Sequence, residues 1–215
     1  MIDAKRILVV APHPDDEVLG CGGTLSLCTG RGAHVHVLIV FDGAAGDPQG
    51  KFESADYVAR RQREAEAGGR SLGLTNYTFW GLPEGHLASS EELDQGAERL
   101  AELVARLQPE LVLAPWVGDG HRDHRTVAEA VSRWLSLAEG GGREMGIDVW
   151  GYEVWSELPP DQLVDVSGVW PRKVEALEQH QSQLAYADLL AQMRCMAQRD
   201  GSGQYERFQR WEPVS

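Results

Sequence analysis

Short apolar runs alternate with helix-type segments along this chain, and this alternation constrains its fold more than any other feature. Residues 7–11 and 111–114 are uninterrupted apolar runs, which are typical of strands buried on both faces of a parallel sheet. Residues 34–41 are rich in valine and predict another strand. Because helix-type segments separate these runs, as at 15–30 and 91–107, we predict an α/β fold with a mainly parallel central sheet.

The remaining segments continue the same alternation. They predict helices over 57–72, 126–137 and most of 171–198, strands over 77–80, 149–154 and 163–166, a glycine-rich surface segment over 139–146 and a tail over 201–215. No internal repeat and no long linker divides the 215 residues, a length that a single domain accommodates. We therefore predict one domain over residues 1–215 with a Rossmann-like three-layer sandwich architecture.

Composition and charge exclude several functional classes. A net charge of −13 at pH 7 repels phosphate backbones and anionic lipid, so nucleic acid is not an expected partner. No apolar run reaches the roughly 18 residues of a transmembrane helix, and the run at 7–10 is too short for a signal peptide. The three cysteines, Cys21, Cys28 and Cys195, form no Cys-x-x-Cys pair and fit a reducing compartment. We expect a cytoplasmic protein.

The segment Ala11-Pro-His-Pro-Asp-Asp-Glu17 carries the strongest chemical signal. It directly follows the predicted strand 7–11, and open α/β sheets bind ligands beyond the carboxyl ends of their strands. His13 and Asp16 lie three residues apart, so one turn can aim both at a single point, and both are good zinc ligands. Asp15 lies between them and can stand beside the metal. Taken alone, Asp15 or Asp16 could instead cap the helix that follows.

A second cluster, Gly118-Asp-Gly-His-Arg-Asp-His124, follows the predicted strand 111–114. His121 and His124 are again three residues apart, near the start of a predicted helix. Taken alone, they could instead be ordinary surface histidines that bind no metal. Two such clusters, at the ends of two separate parallel strands, converge on one crevice by topology. A mixed His/Asp/His set leaves a tetrahedral zinc with an open fourth position, which is the mark of a catalytic site.

These clusters resemble the LmbE-like/PIG-L family of metal-dependent N-acetylglucosamine deacetylases, and the resemblance covers most of the chain. Besides residues 11–17 it includes the glycine element 20–24, the Arg61-Gln-Arg-Glu64 helix that ends in Leu72-Gly73, and the stretch from Lys173 to Gln183. The family's His-Pro-Asp-His element appears as residues 121–124, with Arg122 in place of proline.

The resemblance implies a role for each matching residue. It implies His13, Asp16 and His124 as metal ligands, Asp15 as general base, His121 as the group that stabilises the oxyanion, Asp123 as a carboxylate that orients a histidine, and Arg61 and Glu84 as substrate contacts. Glu84 stands where the family usually has aspartate. Outside the resemblance, Trp116 and His86 are candidate walls of the substrate pocket, and His180 either reaches the site or packs in the core.

The implied activity is zinc-dependent removal of the acetyl group from an N-acetylated amino-sugar conjugate, a small molecule. Zinc would polarise the amide carbonyl and lower the pKa of bound water to about 7. Asp15 would take the water proton, and the metal and His121 would stabilise the oxyanion. Either Asp15 returns the proton to the leaving amine or His121 donates it. Fe(II) or another divalent metal would fit similar ligands.

Three alternatives stay open beside this interpretation. The same metal site would serve an amidase acting on a thiol-sugar conjugate or an acylated antibiotic, with the loops 42–56 and 80–90 deciding the substrate. A non-catalytic, metal-dependent sugar-binding protein would need no base at Asp15. A nucleotide-binding domain is disfavoured because residues 20–24 lack the full Gly-x-Gly-x-x-Gly order. The sequence also leaves a homo-oligomer open.

Overall fold

The computed structural model describes residues 4–85, 87–137 and 146–211. Within these residues the strands form a seven-stranded sheet in the order β3-β2-β1-β4-β5-β7-β6. The strands are β1 (Arg6–Ala11), β2 (His34–Phe41), β3 (Asn76–Leu82), β4 (Leu111–Pro115), β5 (Asp148–Tyr152), β6 (Gln162–Asp165) and β7 (Tyr205–Arg210). Strands β1 to β5 pair in parallel, whereas β7 pairs antiparallel with β5 and β6. The prediction of a mainly parallel sheet is confirmed.

Seven helices in the described ranges cover the two faces of this sheet. They are α1 (Asp16–Gly30), α2 (Ser54–Ser71), α3 (Ser90–Leu107), α4 (Arg122–Leu137), α5 (Trp170–Glu178), α6 (Gln181–Leu184) and α7 (Leu189–Ala197). Side chains of α1, α5 and α7 belong to the hydrophobic core on one face, and side chains of α3 and α4 belong to the core on the other. None of these described helices combines the length and apolar character that a membrane crossing requires.

Successive side chains of a strand point to opposite faces of the sheet, so each central strand contributes to the hydrophobic cores on both faces. In β1, Ile7 and Val9 pack into one core, whereas Leu8 and Val10 pack into the opposite one. All four are buried, which explains why this strand is an uninterrupted apolar run and not an alternating one. Because β1 lies between β2 and β4, the chain after it emerges at the centre of the sheet edge.

The C-terminal segment is where the sequence prediction is wrong. The tail predicted over 201–215 contains β7, which is inserted between β5 and β6. The carboxylate of Glu206 in β7 is buried and accepts hydrogen bonds from the backbone N–H groups of Gly23 and Thr24, both at 2.7 Å. Charged residues in this strand therefore form buried polar bonds, so the strand lacks the apolar pattern that sequence reasoning recognises.

Two helix boundaries differ from the prediction in ways that matter for the site. Helix α4 begins at Arg122 and not at 126, which places His124 in its first turn. The helical stretch predicted over 171–198 is divided into three helices. The surface segment predicted over 139–146 lies almost wholly outside the described residues.

Close packing of α1 requires glycine at position 23. A Cβ atom there would lie 2.6 Å from Cβ of Val166. We expect Gly23→Ala to lower the free energy of unfolding by about 1–3 kcal/mol, although alanine is the better helix former, and urea unfolding measures this change. Gly30→Ala is the matched control, because a Cβ at Gly30 would meet no atom within 4 Å. Equal stability of the two variants would contradict the packing argument.

Candidate metal centre

The two chemical clusters meet at the carboxyl end of the central strands. Strands β1 and β4 are parallel neighbours, so the chain segments that follow Ala11 and Pro115 leave the sheet at the same edge. His13 follows β1, His121 directly precedes α4, and His124 lies in the first turn of α4. Open α/β sheets bind ligands at this edge.

Asp15 occupies a strained turn between β1 and α1. Its φ of 135° and ψ of −25° form a conformation that non-glycine residues rarely adopt and that costs about 1–3 kcal/mol. The N–H of Asp15 donates to the Glu17 carboxylate at 3.1 Å, and its carbonyl accepts from the N–H of Leu19 at 2.9 Å. The Asp15 side chain forms no capping hydrogen bond. The capping alternative is therefore wrong for Asp15, and its carboxylate is available to the site.

Ligand-type atoms converge beside Asp15. Oδ2 of Asp16 lies 3.1 Å from Nδ1 of His13 and 3.1 Å from Nε2 of His124. His13, His121 and His124 also each offer a ring nitrogen within 4.8 Å of one another. The structure therefore brings together the three residues predicted as ligands, with His121 as a fourth neighbour.

In His13 and in His124, the ring nitrogen that does not face Asp16 contacts other carboxylates. Nε2 of His13 lies 3.1 Å from Oδ2 of Asp123 and 3.1 Å from Oε2 of Glu84. Nδ1 of His124 lies 3.5 Å from Oδ2 of Asp119. Partners of this kind fix the tautomer and orientation of metal-binding imidazoles. The other two nitrogens, Nδ1 of His13 and Nε2 of His124, face Asp16.

The surroundings of His124 fit a divalent cation. His124 is completely buried, and neither of its ring nitrogens forms a well-directed hydrogen bond with the described residues. Burial lowers the pKa of His124, but the carboxylates of Asp16 and Asp119 outweigh burial and raise that pKa to about 9. Burial raises the pKa of Asp16, but His124 and His13 outweigh it and hold that pKa well below its usual range. The electrostatic potential around His124 and Asp16 therefore favours a positive charge, and the nitrogen and oxygen donors there suit zinc.

Arg61 holds the Asp15 carboxylate from inside the protein. Its guanidinium donates to Oδ2 of Asp15 at 3.1 Å and to the carbonyls of Pro14 and Gly43 at 2.7 and 3.0 Å. The Arg61 side chain is 4% exposed, which favours a positioning role over the substrate contact that the resemblance implied. Burial raises the pKa of Asp15 to about 7, and Arg61 opposes this rise.

The other predicted substrate contacts are engaged with protein groups. The two carboxylate oxygens of Glu84 contact His13 and a backbone N–H, so a sugar contact at Glu84 stays a prediction. The indole N–H of Trp116 donates to the carbonyl of Ser156 at 3.2 Å, and its role as a pocket wall also stays a prediction. His86 lies outside the described residues.

The sequence analysis assigned no role to Asp119 or Trp155, although the structure places both beside the second cluster. Asp119 is buried, and its carboxylate accepts the N–H of His121 at 2.8 Å and the N–H of Trp155 at 3.0 Å. The Trp155 side chain is 47% exposed, and its ring centroid lies 6.4 Å from that of His121. A carboxylate two residues before the first histidine of the second cluster was the available signal for Asp119. Trp155 directly follows the predicted strand 149–154, but a buried core position is the usual fate of tryptophan, and its place beside His121 depends on the loop after β5.

His180 packs in the core beside α2. It is 1% exposed, and a Cβ atom at Gly68 would lie 3.1 Å from its Nε2. Neither ring nitrogen has a hydrogen-bond partner within the described residues. Burial, together with the charge of Arg61, lowers the pKa of His180 to about 3.

Protonation of His180 should couple unfolding to pH. Its folded pKa lies below the unfolded value of about 6.5, so the unfolded chain binds more protons between pH 6.5 and 3 and stability falls as the pH falls. Relative to His180→Gln, we expect the wild type to lose about 1.4 kcal/mol of unfolding free energy per pH unit below pH 6. Urea unfolding at pH 7, 6 and 5 measures this difference. Parallel pH curves for the two proteins would show that His180 does not carry the effect.

Several deacetylases are similar to this chain in sequence. Residues 8–135, which include both clusters, match the family described as PIG-L, GlcNAc-PI de-N-acetylase. The diacetylchitobiose deacetylase of Thermococcus kodakarensis is 28% identical over 193 residues, which cover 84% of this chain and 71% of the relative. The 2'-N-acetylparomamine deacetylase of Streptomyces fradiae is 33% identical over 209 residues, which cover 83% of this chain and 73% of the relative.

One similar protein has a different activity. The 4-oxalmesaconate hydratase of Pseudomonas putida is 26% identical over 190 residues, which cover 81% of this chain and 72% of the relative.

Among solved structures, the N,N'-diacetylchitobiose deacetylase of Pyrococcus horikoshii superposes with a TM-score of 0.84 at 24% identity, covering 98% of this chain and 85% of the other. That superposition confirms the α/β fold.

Proposed function

This chain belongs to the PIG-L (LmbE-like) family, and from that premise we propose that it is a zinc-dependent N-deacetylase that hydrolyses the N-acetyl amide of an N-acetylglucosamine-type substrate. The observation that carries the proposal is the convergence of His13, Asp16 and His124 beside the carboxylate of Asp15. Metal-dependent binding needs only the ligands, whereas hydrolysis needs the ligands and a base. The deacetylase relatives support an amide-hydrolysing enzyme.

Asp15 is the base in this proposal. Zinc held by His13, Asp16 and His124 would supply a Lewis acid for the amide carbonyl and would lower the pKa of water to about 7. Asp15 accepts the proton of the attacking water, and its pKa of about 7 suits a general base at neutral pH. Arg61 fixes Oδ2 of Asp15, which leaves Oδ1 to receive the proton.

The tautomer of His121 follows from its hydrogen bond. Nδ1 of His121 accepts the N–H of Asp123 at 3.3 Å, so the ring proton of the neutral imidazole lies on Nε2. Burial, together with the charges of His124 and His13, lowers the pKa of His121, and the ring is neutral at pH 7. We therefore assign Nε2–H of His121 to a hydrogen bond with the oxyanion. The return of the proton to the leaving amine falls to Asp15.

An acetylated amino-sugar compound is the proposed substrate. Diacetylchitobiose and 2'-N-acetylparomamine, after which two of the relatives are named, both carry acetyl groups. The half-exposed Trp155 beside His121 offers an aromatic face at the edge of the site. A thiol-sugar conjugate or an acylated antibiotic would place the same amide at the same ligands, so these substrates belong in the same test.

A hydratase is the second candidate, and the Pseudomonas putida relative is the observation that favours it. A water molecule activated by Asp15 would add to a carbon–carbon double bond in that reaction. Hydration releases no amine, whereas amide hydrolysis releases one amine for each acetate. The two activities are therefore separated by their products.

An amine-release assay over N-acetyl sugars and their conjugates tests the proposal. We expect free amine and acetate from at least one member of the panel with zinc-loaded protein, and neither product with metal-stripped protein. Loss of the absorbance of the unsaturated tricarboxylate 4-oxalmesaconate, without amine release from any sugar, would instead identify a hydratase. Sugar binding without either reaction would identify the non-catalytic alternative.

A further inference from the structure

A large aromatic side chain is exposed at the edge of the candidate metal centre. Trp155 lies in the segment after β5 and is 47% exposed, whereas Val154 and Leu158 of the same segment are buried. Leaving an indole half exposed forgoes much of the stabilisation that its burial would supply. Within the described residues, the indole N–H of Trp155 has no hydrogen-bond partner. The side chain can therefore meet a ligand both through its face and through its N–H.

Hydrogen bonds between two loops hold the backbone around this indole. The backbone N–H of Trp155 donates to Oδ2 of Asp119 at 3.0 Å. The next residue, Ser156, accepts the N–H of Gly120 at 2.7 Å through its hydroxyl and the indole N–H of Trp116 at 3.2 Å through its carbonyl. The loop after β5 is thus bonded to the loop after β4. A residue held in this way, with only two rotatable side-chain bonds, loses little conformational freedom when it binds a ligand.

The rings of Trp155 and His121 form one continuous surface. Their centroids lie 6.4 Å apart, and their planes are inclined by 29°. Atoms of two rings stacked face to face would be separated by about 3.5–4 Å, so these two rings are offset and neither covers the other. In the proposed function, Nε2–H of His121 donates to the oxyanion that forms from the amide. A group attached to that amide can therefore lie against the indole of Trp155.

The chemistry of the indole matches a pyranose ring. In a 2-acetamido sugar the amide nitrogen is bonded directly to a ring carbon, so the sugar ring is the first group beyond the amide. Its C–H groups carry a partial positive charge, and the indole face is the negative part of the π-system. A ring hydroxyl can accept the indole N–H. A carboxylate or phosphate would instead be repelled by Asp119 and Asp123 in a chain of net charge −13.

We propose that Trp155 binds the pyranose ring that carries the acetamide, with the indole face against the C–H groups of the sugar. The enzyme is then selective for cyclic amino sugars over acyclic N-acetyl amines. This inference rests on the proposed function, and it assigns the aromatic contact to Trp155 and not to Trp116, whose indole N–H is already bonded to Ser156.

Two substitutions at Trp155 test the contact kinetically. Trp155→Leu keeps an apolar side chain but removes the aromatic face, whereas Trp155→Phe keeps an aromatic face. With the best substrate of the amine-release panel, we expect KM to rise about three- to tenfold in Trp155→Leu and to rise less in Trp155→Phe. The value of kcat should stay within about twofold of the wild type, because the contact is made equally in the ground and transition states.

Leu163→Ala is the matched control for these variants. Leu163 is 41% exposed and lies in β6, the strand at the edge of the sheet, so its loss should change neither KM nor kcat. A KM for Trp155→Leu equal to that of the wild type would overturn the inference. A fall in kcat or in zinc content without a change in KM would also overturn it, because Trp155 would then act only through His121 or Asp119.

An acyclic amide shows whether the ring is what Trp155 recognises. N-acetylethanolamine carries the same amide without a sugar ring. We expect the wild type to hydrolyse it with a kcat/KM about tenfold or more below that of the pyranoside, or not detectably. Trp155→Leu should lower kcat/KM for the pyranoside and leave the acyclic value unchanged. An equal fall for both compounds, or an acyclic amide hydrolysed as well as the pyranoside by the wild type, would overturn the inference.

Saturation-transfer NMR on metal-free protein separates this inference from the proposed function. We expect the ring C–H protons of methyl N-acetylglucosaminide to be saturated by the wild type and by Leu163→Ala, and about threefold less or weaker still by Trp155→Leu. This result would support the contact even if no amide were hydrolysed, and equal saturation by all three proteins would overturn it. Sedimentation velocity covers a second copy of the chain as the occupant. Dissociation of an oligomer as the only effect of Trp155→Leu would overturn the inference.

Discussion

Asp15→Asn is expected to lower kcat for amide hydrolysis by about a hundred- to ten-thousandfold, the usual contribution of a general base. Asparagine can keep the hydrogen bond that Arg61 donates at 3.1 Å, but its neutral amide cannot accept the water proton. The three predicted ligands are unchanged, so the zinc content should stay at the wild-type level. Steady-state amine release and elemental analysis of the same preparation measure the two quantities.

The control for this variant is a carboxylate outside the site. Asp165 in β6 is exposed and bonds locally to the N–H of Ser167 at 2.9 Å, so Asp165→Asn should retain wild-type kcat. If Asp15→Asn keeps more than about a tenth of wild-type kcat, Asp15 is not the base. If it loses zinc as well as activity, Asp15 is a ligand and the assigned roles must be exchanged.

His124→Ala is expected to abolish both zinc binding and turnover. The substitution removes Nε2, which faces Oδ2 of Asp16 at 3.1 Å, and leaves at most two of the three predicted ligands. Equilibrium dialysis against zinc and the amine-release assay measure the loss. A variant that still binds one equivalent of zinc tightly would show that His124 is not a ligand, and His121 would replace it as the candidate.

Asp119→Asn is expected to weaken zinc binding without abolishing it, in contrast to His124→Ala. The Asp119 carboxylate lies 3.5 Å from Nδ1 of His124, which is the ring nitrogen that does not face Asp16. Loss of such an orienting carboxylate costs about 10- to 100-fold in metal affinity, so activity should return when zinc is added in excess. Failure of excess zinc to restore turnover would mean that Asp119 acts on something other than His124.

The sequence was informative where local spacing decides geometry. His13 and Asp16 share a single turn after a buried strand, and His124 follows a second strand, so topology alone brings them to one edge. The positive φ of Asp15 and the placement of Arg61 behind it depend on packing between distant segments. No spacing rule predicts such contacts.

Strand β7 shows the same limit in the fold. Its residues Tyr205–Arg210 include two arginines and a glutamate, so no hydrophobic alternation marks them as a strand. The buried bonds of Glu206 to α1 become visible only when the chain has returned to the sheet.

A zinc titration of metal-free protein, with amine release followed at each step, tests whether this protein is a zinc-dependent deacetylase. We expect a rate near zero without metal, a linear rise, and a plateau at one zinc per chain, with amine and acetate formed in equal amounts. Full activity in the metal-free protein, or a stoichiometric zinc complex that releases no amine from any acetylated amino sugar, would contradict it.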